Sequence, residues 1–140
     1  MLSTIAVGTD GSATAGQAVD AAIDLASATG ARLLVFGAYS GSNHVVSEGG
    51  FDEQQWVTNP SEMVHRLLDS ARDRASERGV QAESFAGDGD AADVLVGLAE
   101  HHAVDVLVIG NKGADRRILA SVPKSVVQHA PCDVYVVKTT

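Results

Sequence analysis

Val106-Leu107-Val108-Ile109-Gly110-Asn111-Lys112-Gly113 joins an apolar, β-branched run to two glycines three residues apart. A short run of this kind, closed by turn residues, reads as a strand buried on both faces of a parallel sheet. Glycines at its carboxyl end let backbone N–H groups approach a ligand closely, and the helix that follows offers an N-terminus that attracts anions. Lys112, Arg116 and Arg117 then lead into Ala120-Ser121-Val122-Pro123, where that helix is expected to begin. The first strand closes in a similar way, at Val7-Gly8-Thr9-Asp10-Gly11-Ser12. This order of parts suits a nucleotide phosphate.

Outward from that stretch, strands and helices alternate strictly. Residues 2–8, 32–39, 80–86, 105–109 and 133–137 read as strands, and 12–29, 60–78, 91–102 and 121–129 as helices. In the first helix Ala18, Val19, Ala22, Ile23 and Ala26 recur at three and four, giving one apolar face. Gly30 and Gly79 stand where helices stop, and Asp90 with Asp93 reads as the capped start of the third. Glu62/Arg66 and Asp69/Arg72 lie on the wet face of the second helix. In the third strand Val80, Ala82 and Ser84 share one face and Phe85 takes the other. Alternation of this kind predicts a three-layer α/β/α fold, a Rossmann-like five-stranded parallel sheet with helices on both faces. In such a sheet ligands bind where the strand order reverses, beyond the carboxyl ends of the flanking strands. With the order 3-2-1-4-5, the turns at Gly8–Gly11 and Gly110–Gly113 face one crevice.

Composition narrows the partners. The chain has 140 residues, 45% of them hydrophobic, enough for one domain spanning 1–140 with a real core. A net charge of −8 argues against a surface for nucleic acid or anionic membrane, so any phosphate must be held locally. The single Cys132 suits a reducing cytoplasm, no secretory leader pattern is present, and no apolar run is long enough to span a bilayer. A cytoplasmic protein is expected.

Four segments resemble the universal stress protein family. They are Ile5-Ala6-Val7-Gly8-Thr9-Asp10-Gly11-Ser12, the Gly87-Asp88 turn, Ala103-Val104-Asp105-Val106-Leu107-Val108-Ile109-Gly110, and the ending from Ser121-Val122-Pro123-Lys124 to Val134-Tyr135-Val136-Val137. The resemblance covers nearly the whole chain. It implies the 3-2-1-4-5 sheet, dimerisation through the last strand and, in one branch, a bound adenine nucleotide: ATP with Mg²⁺ as its companion, AMP or cyclic AMP. It further implies that Asp10 meets the adenosine end and that the backbone at Ala38 meets adenine. Nucleotide-binding members carry Gly-x-x-Gly, nine residues, then Gly-Ser or Gly-Thr. Gly110 and Gly113 match the first half; Ala120-Ser121 replaces the second, after six residues in place of nine. Six extended residues still reach about 20 Å. A methyl at Ala120 crowds a phosphate or forbids a positive φ, which favours a monophosphate or cyclic phosphate over a triphosphate. The expected contacts are therefore Gly8, Thr9, Asp10, Ala38, Gly110 and Asn111, then Lys112, Gly113, Arg116, Arg117, Ala120, Ser121 and Val122.

Each of these has a plainer reading. Asp10 caps a helix equally well, turn glycines occur in any α/β protein, and charge runs are often solvated surface. Gly87-Asp88-Gly89-Asp90-Ala91-Ala92 fits the dinucleotide fingerprint, but two carboxylates in that turn repel a pyrophosphate, so it is read as a capping turn. No phosphate-loop motif of NTPases, Ser-His-Asp set or Cys-His set is present, and His129 with Cys132 supplies too few ligands for zinc. His101, His102 and His129 stand in last helical turns, where a partial positive charge is favoured. The long segment 40–59 carries Trp56, read as packing the loop down. Val134–Val137 is an apolar edge expected to pair antiparallel with its twin. The function expected is a nucleotide-binding stress or signalling protein that is not itself a catalyst. The alternatives are a nucleotide-free dimer acting through protein partners and, further off, an ATP-hydrolysing or adenylate-forming enzyme.

Overall fold

The computed structural model of the chain describes residues 2–10, 13–40, 60–111 and 122–139. They form β1 (Thr4–Gly8), α1 (Ala13–Thr29), β2 (Arg32–Tyr39), α2 (Pro60–Glu77), β3 (Ala82–Asp88), α3 (Ala91–His101), β4 (Val106–Gly110), α4 (Val122–His129) and β5 (Asp133–Val137). All pairings are parallel and the order is β3-β2-β1-β4-β5. The strand order reverses between β1 and β4, where Ile5, Ala6 and Val7 stand opposite Val106, Leu107 and Val108.

Period-two alternation along the central strands feeds two cores. Ile5, Val7, Val35, Val106 and Val108 pack against α1 and α2 through Ala18, Ala22, Ile23, Leu68 and Ala75. Ala6, Leu34, Phe36, Leu107 and Ile109 face α3 and α4 through Leu95, Ala99 and Val126. The alanine face of α1 lets that helix lie close on the sheet. Arg74 forms a two-bond ion pair with Asp20 at 2.8 and 3.1 Å, and one turn on Arg78 bonds Asp24, tying α2 to α1. Both pairs are exposed, so each contributes at most about 1 kcal/mol. On the wet face of α2, Arg72 reaches Asp69 at 3.1 Å.

Helix ends explain where the elements stop. The Gly30 N–H donates to the Ala26 carbonyl at a φ of +75°. At the end of α2, Gly79 (φ +79°) donates to Ser76 and Val80 donates to Ala75, a Schellman pair. Val80 is thus consumed by the cap of α2, and β3 begins at Ala82, two residues later than its hydrophobicity suggests. β3 then continues through Gly87–Asp88, which stand opposite Ala38–Tyr39. The Gly87-to-Ala92 turn does cap α3: the Asp90 carboxylate accepts from the Asp93 N–H at 3.3 Å. A Cβ on Gly87 would lie 2.8 Å from Val94 Cγ1, so its glycine serves close packing of β3 on α3.

His102 behaves unlike a dipole-stabilised cation. Its ring lies 4.1 Å from Phe85 and 4.8 Å from His101, centroid to centroid. Burial, then the neighbouring His101 and Arg32 charges, hold its imidazole below the ordinary range, with Glu83 opposing.

Candidate functional site

A cleft opens at the carboxyl ends of β1 and β4, at the reversal of strand order. Its rim carries Gly8, Thr9 and Asp10 from the β1 turn and Gly110 from the end of β4. Its walls are apolar: Ala38 from β2, Ala15 from α1, Leu95 from α3, Ile109 from β4, and Val122 and Pro123 from α4. Such a surface suits a flat, weakly polar body, and the polar rim suits a hydroxylated or charged one.

The backbone at this end reflects two demands. β1 is buried from Thr4 to Val7 and ends at the half-buried Gly8, where a Cβ would lie 2.9 and 3.0 Å from the two δ-carbons of Leu95. Glycine there lets α3 press its leucine under the turn. The helices α1, α3 and α4 all begin at the cleft, with Ala15, Ala91 and Val122 among its lining residues. α3 carries carboxylates at its start, Asp90 and Asp93, which offset its dipole. α1 and α4 carry no acidic residue in the first turn, and their positive ends face the cleft, with the Asp10 carboxylate on the rim beside α1.

Not every backbone donor expected to serve a ligand is available. The Thr9 N–H donates to the Phe36 carbonyl at 3.0 Å and the Asn111 N–H to the Val137 carbonyl at 2.9 Å. Both extend the sheet ladders by one residue. Asn111 also turns its side-chain oxygen to Thr139, away from the cleft. Of the expected contacts, Gly8, Thr9, Asp10, Ala38, Gly110 and Val122 meet at the cleft, while Asn111 stands beside it, bound to the segment after β5. Lys112, Gly113, Arg116, Arg117, Ala120 and Ser121 lie outside the described residues, as do Gly11 and Trp56. Ala15, Ala91, Leu95, Ile109 and Pro123 escaped sequence reasoning. A usable signal was present: the crossover from β3 to β4 must carry α3 over the β1 edge of the cleft. Among the described residues no group of three or more His, Cys, Asp and Glu side chains could hold a metal ion. No helix among them is long and apolar enough to cross a membrane.

A parallel sheet with helix N-termini gathered at its single reversal defines a doubly wound α/β protein with a ligand cleft at the switch point. Comparison with known proteins narrows the class. The model of the Universal stress protein family matches residues 1–138, and the chain belongs to that family. Universal stress protein Rv1636 of Mycobacterium tuberculosis (strain ATCC 25618 / H37Rv) is 36% identical over 143 residues, spanning 98% of this chain and 97% of the relative. A universal stress protein solved in complex with cAMP is 32% identical, with a TM-score of 0.76 over 99% of this chain and 98% of the other. A member from Burkholderia pseudomallei is 30% identical, with a TM-score of 0.74 over 97% and 96% of the two chains.

Proposed function

We propose that the cleft binds an adenine nucleotide and that the protein acts through that binding, not through chemistry of its own. The carrying observation is the convergence of Gly8–Asp10 and Gly110 on one apolar-walled cleft beneath two helix N-termini whose first turns hold no acidic residue. The complex of a 32% identical relative with cAMP supports the same ligand class. In this reading the purine lies among Ala38, Leu95, Ile109 and Val122, and the Asp10 carboxylate accepts from ribose hydroxyls. The phosphate is met by α1 and α4 and by Lys112, Gly113, Arg116, Arg117, Ala120 and Ser121. With the Thr9 and Asn111 amides spent on the sheet, the glycine loop after β4 supplies the backbone donors. AMP or cyclic AMP is favoured over ATP by the shortened loop. Mg²⁺, if ATP enters, is held chiefly by the phosphates, since such ions keep waters and take few protein carboxylates. Hydrolysis needs an oriented water and a positioned metal, and Asp10 alone does not build that arrangement. We read residues 1–140 as one such domain, working in the cytoplasm.

Dimerisation belongs to the same reading. β5 ends the sheet with Tyr135 45% and Val136 37% exposed, and Val127 of the adjacent α4 is 56% exposed. Antiparallel pairing with the twin strand covers an edge that proteins rarely leave bare. A nucleotide-free dimer acting on protein partners is the second reading, favoured by the two spent amides and by Ala120 in the loop.

Gly8→Ala separates the two. The added methyl displaces Leu95, whose side chain walls the cleft, so calorimetric titration is expected to show AMP and cyclic AMP bound at least about tenfold more weakly. The variant still folds, because Leu95 can yield at its flexible end. Unchanged affinity would place the nucleotide elsewhere, and no binding by the unaltered protein would leave the partner-binding reading.

A further inference from the structure

One buried polar residue stands outside the cleft yet is tied to its rim. Thr139, two residues beyond β5, is 8% exposed. Its N–H and its hydroxyl both donate to the side-chain oxygen of Asn111, at 2.8 and 2.7 Å. From the other side the Asn111 N–H donates to the Val137 carbonyl, and Gly110 stands opposite Val137 in the β4–β5 ladder. An amide oxygen has two lone pairs and here takes two donors, so the side chain is used to capacity on that side. The three bonds extend the grip of β5 on β4 past the end of the ladder, at the residue that follows Gly110. Gly110 itself lines the cleft, whereas Thr139 is not among the residues that line it.

We propose that Asn111 and Thr139 form a clasp that sets the position of Gly110 at the mouth of the cleft, making Thr139 a positioning residue for the ligand. The inference rests on the reading of the cleft as an adenylate site. Its consequence is reciprocal: loosening the segment after β5 weakens the ligand, and the ligand tightens that segment by the same factor. Because β5 is the bare edge of the sheet, whatever covers that edge also bears on the clasp. Thr139 is the informative position to alter, since it lies away from the cleft and a change there removes no direct ligand contact.

The test uses the whole chain, unaltered and as Thr139→Val and Thr139→Ser. Valine keeps the shape and the backbone donor but deletes the hydroxyl; serine restores the hydroxyl. Titration with cyclic AMP is expected to show about fivefold weaker binding for Thr139→Val and near-normal binding for Thr139→Ser, the worth of one net hydrogen bond. Without ligand, the Asn111 amide should exchange with solvent severalfold faster in Thr139→Val and return to its native rate in Thr139→Ser. Equal weakening by both variants assigns the effect to packing and overturns the clasp, as does unchanged affinity or unchanged exchange in Thr139→Val. If the unaltered protein binds no cyclic AMP, the adenylate reading fails first and takes the affinity claim with it. The exchange rates then still decide whether the clasp exists.

Discussion

Ala103 has a φ of 52°, a conformation that L side chains adopt at a cost. It follows α3 in a Schellman arrangement, with its own N–H on Glu100 and that of Val104 on Ala99. The helices α1 and α2 end with glycine at the same point, so Ala103 is the odd member of a set of three. Ala103→Gly relieves the strain but loosens the unfolded chain; the net expectation is a gain of about 0.5–1 kcal/mol, read as a rise of a few degrees in Tm. Asp105 shows a different kind of local dependence. Its carboxylate accepts from the Thr4 and Ser3 N–H groups at 2.9 and 2.8 Å, and these two bonds hold its carboxyl below the usual carboxylate range. A folded-state pKa under the unfolded one means stability that is present above about pH 4 and lost as pH falls through the folded value. Asp105→Asn should therefore lower the urea midpoint at pH 7, and the gap to the unaltered protein should narrow as pH falls below about 4. A constant gap across that range would show that charge plays no part.

The order of elements was legible because each carries its own period and its own stop. The Arg32–Tyr39 and Asp133–Val137 strands lie where their apolar runs put them, and α1 ends at Gly30 for the reason its sequence suggests. β3 was misplaced because hydrophobicity cannot tell a strand residue from the apolar partner of a helix cap, and Val80 is the latter. His102 stands at the end of α3 as its sequence suggests, but its ring packs on Phe85, a contact with β3 that no local pattern encodes. The β5 edge carries the prediction proper to this scale. Tyr135→Lys places a charge on the exposed edge and should convert a micromolar dimer to monomer in sedimentation, with little change in Tm of the monomer. A monomeric unaltered protein at that concentration would remove the edge-pairing account.

At the scale of the molecule, the site is the place where a parallel sheet reverses its strand order. The rim was readable from sequence, since Gly8, Asp10 and Gly110 stand at strand ends marked by turn residues. The walls were not, because Ala15, Leu95 and Pro123 come from three helices on two faces of the sheet and meet only through packing. Nor was the fate of the Thr9 and Asn111 amides, which depends on where the neighbouring strands end. The cleft accounts for function only if an adenylate occupies it. The direct measurement is the melting temperature of the unaltered protein with cyclic AMP, AMP and ATP, each with and without Mg²⁺. Ligand at one hundred times its Kd adds about 2.7 kcal/mol, a shift of several degrees for a chain of this size. The account predicts that shift with AMP or cyclic AMP, at least as large as with ATP; no shift with any of the three at millimolar concentration would contradict it.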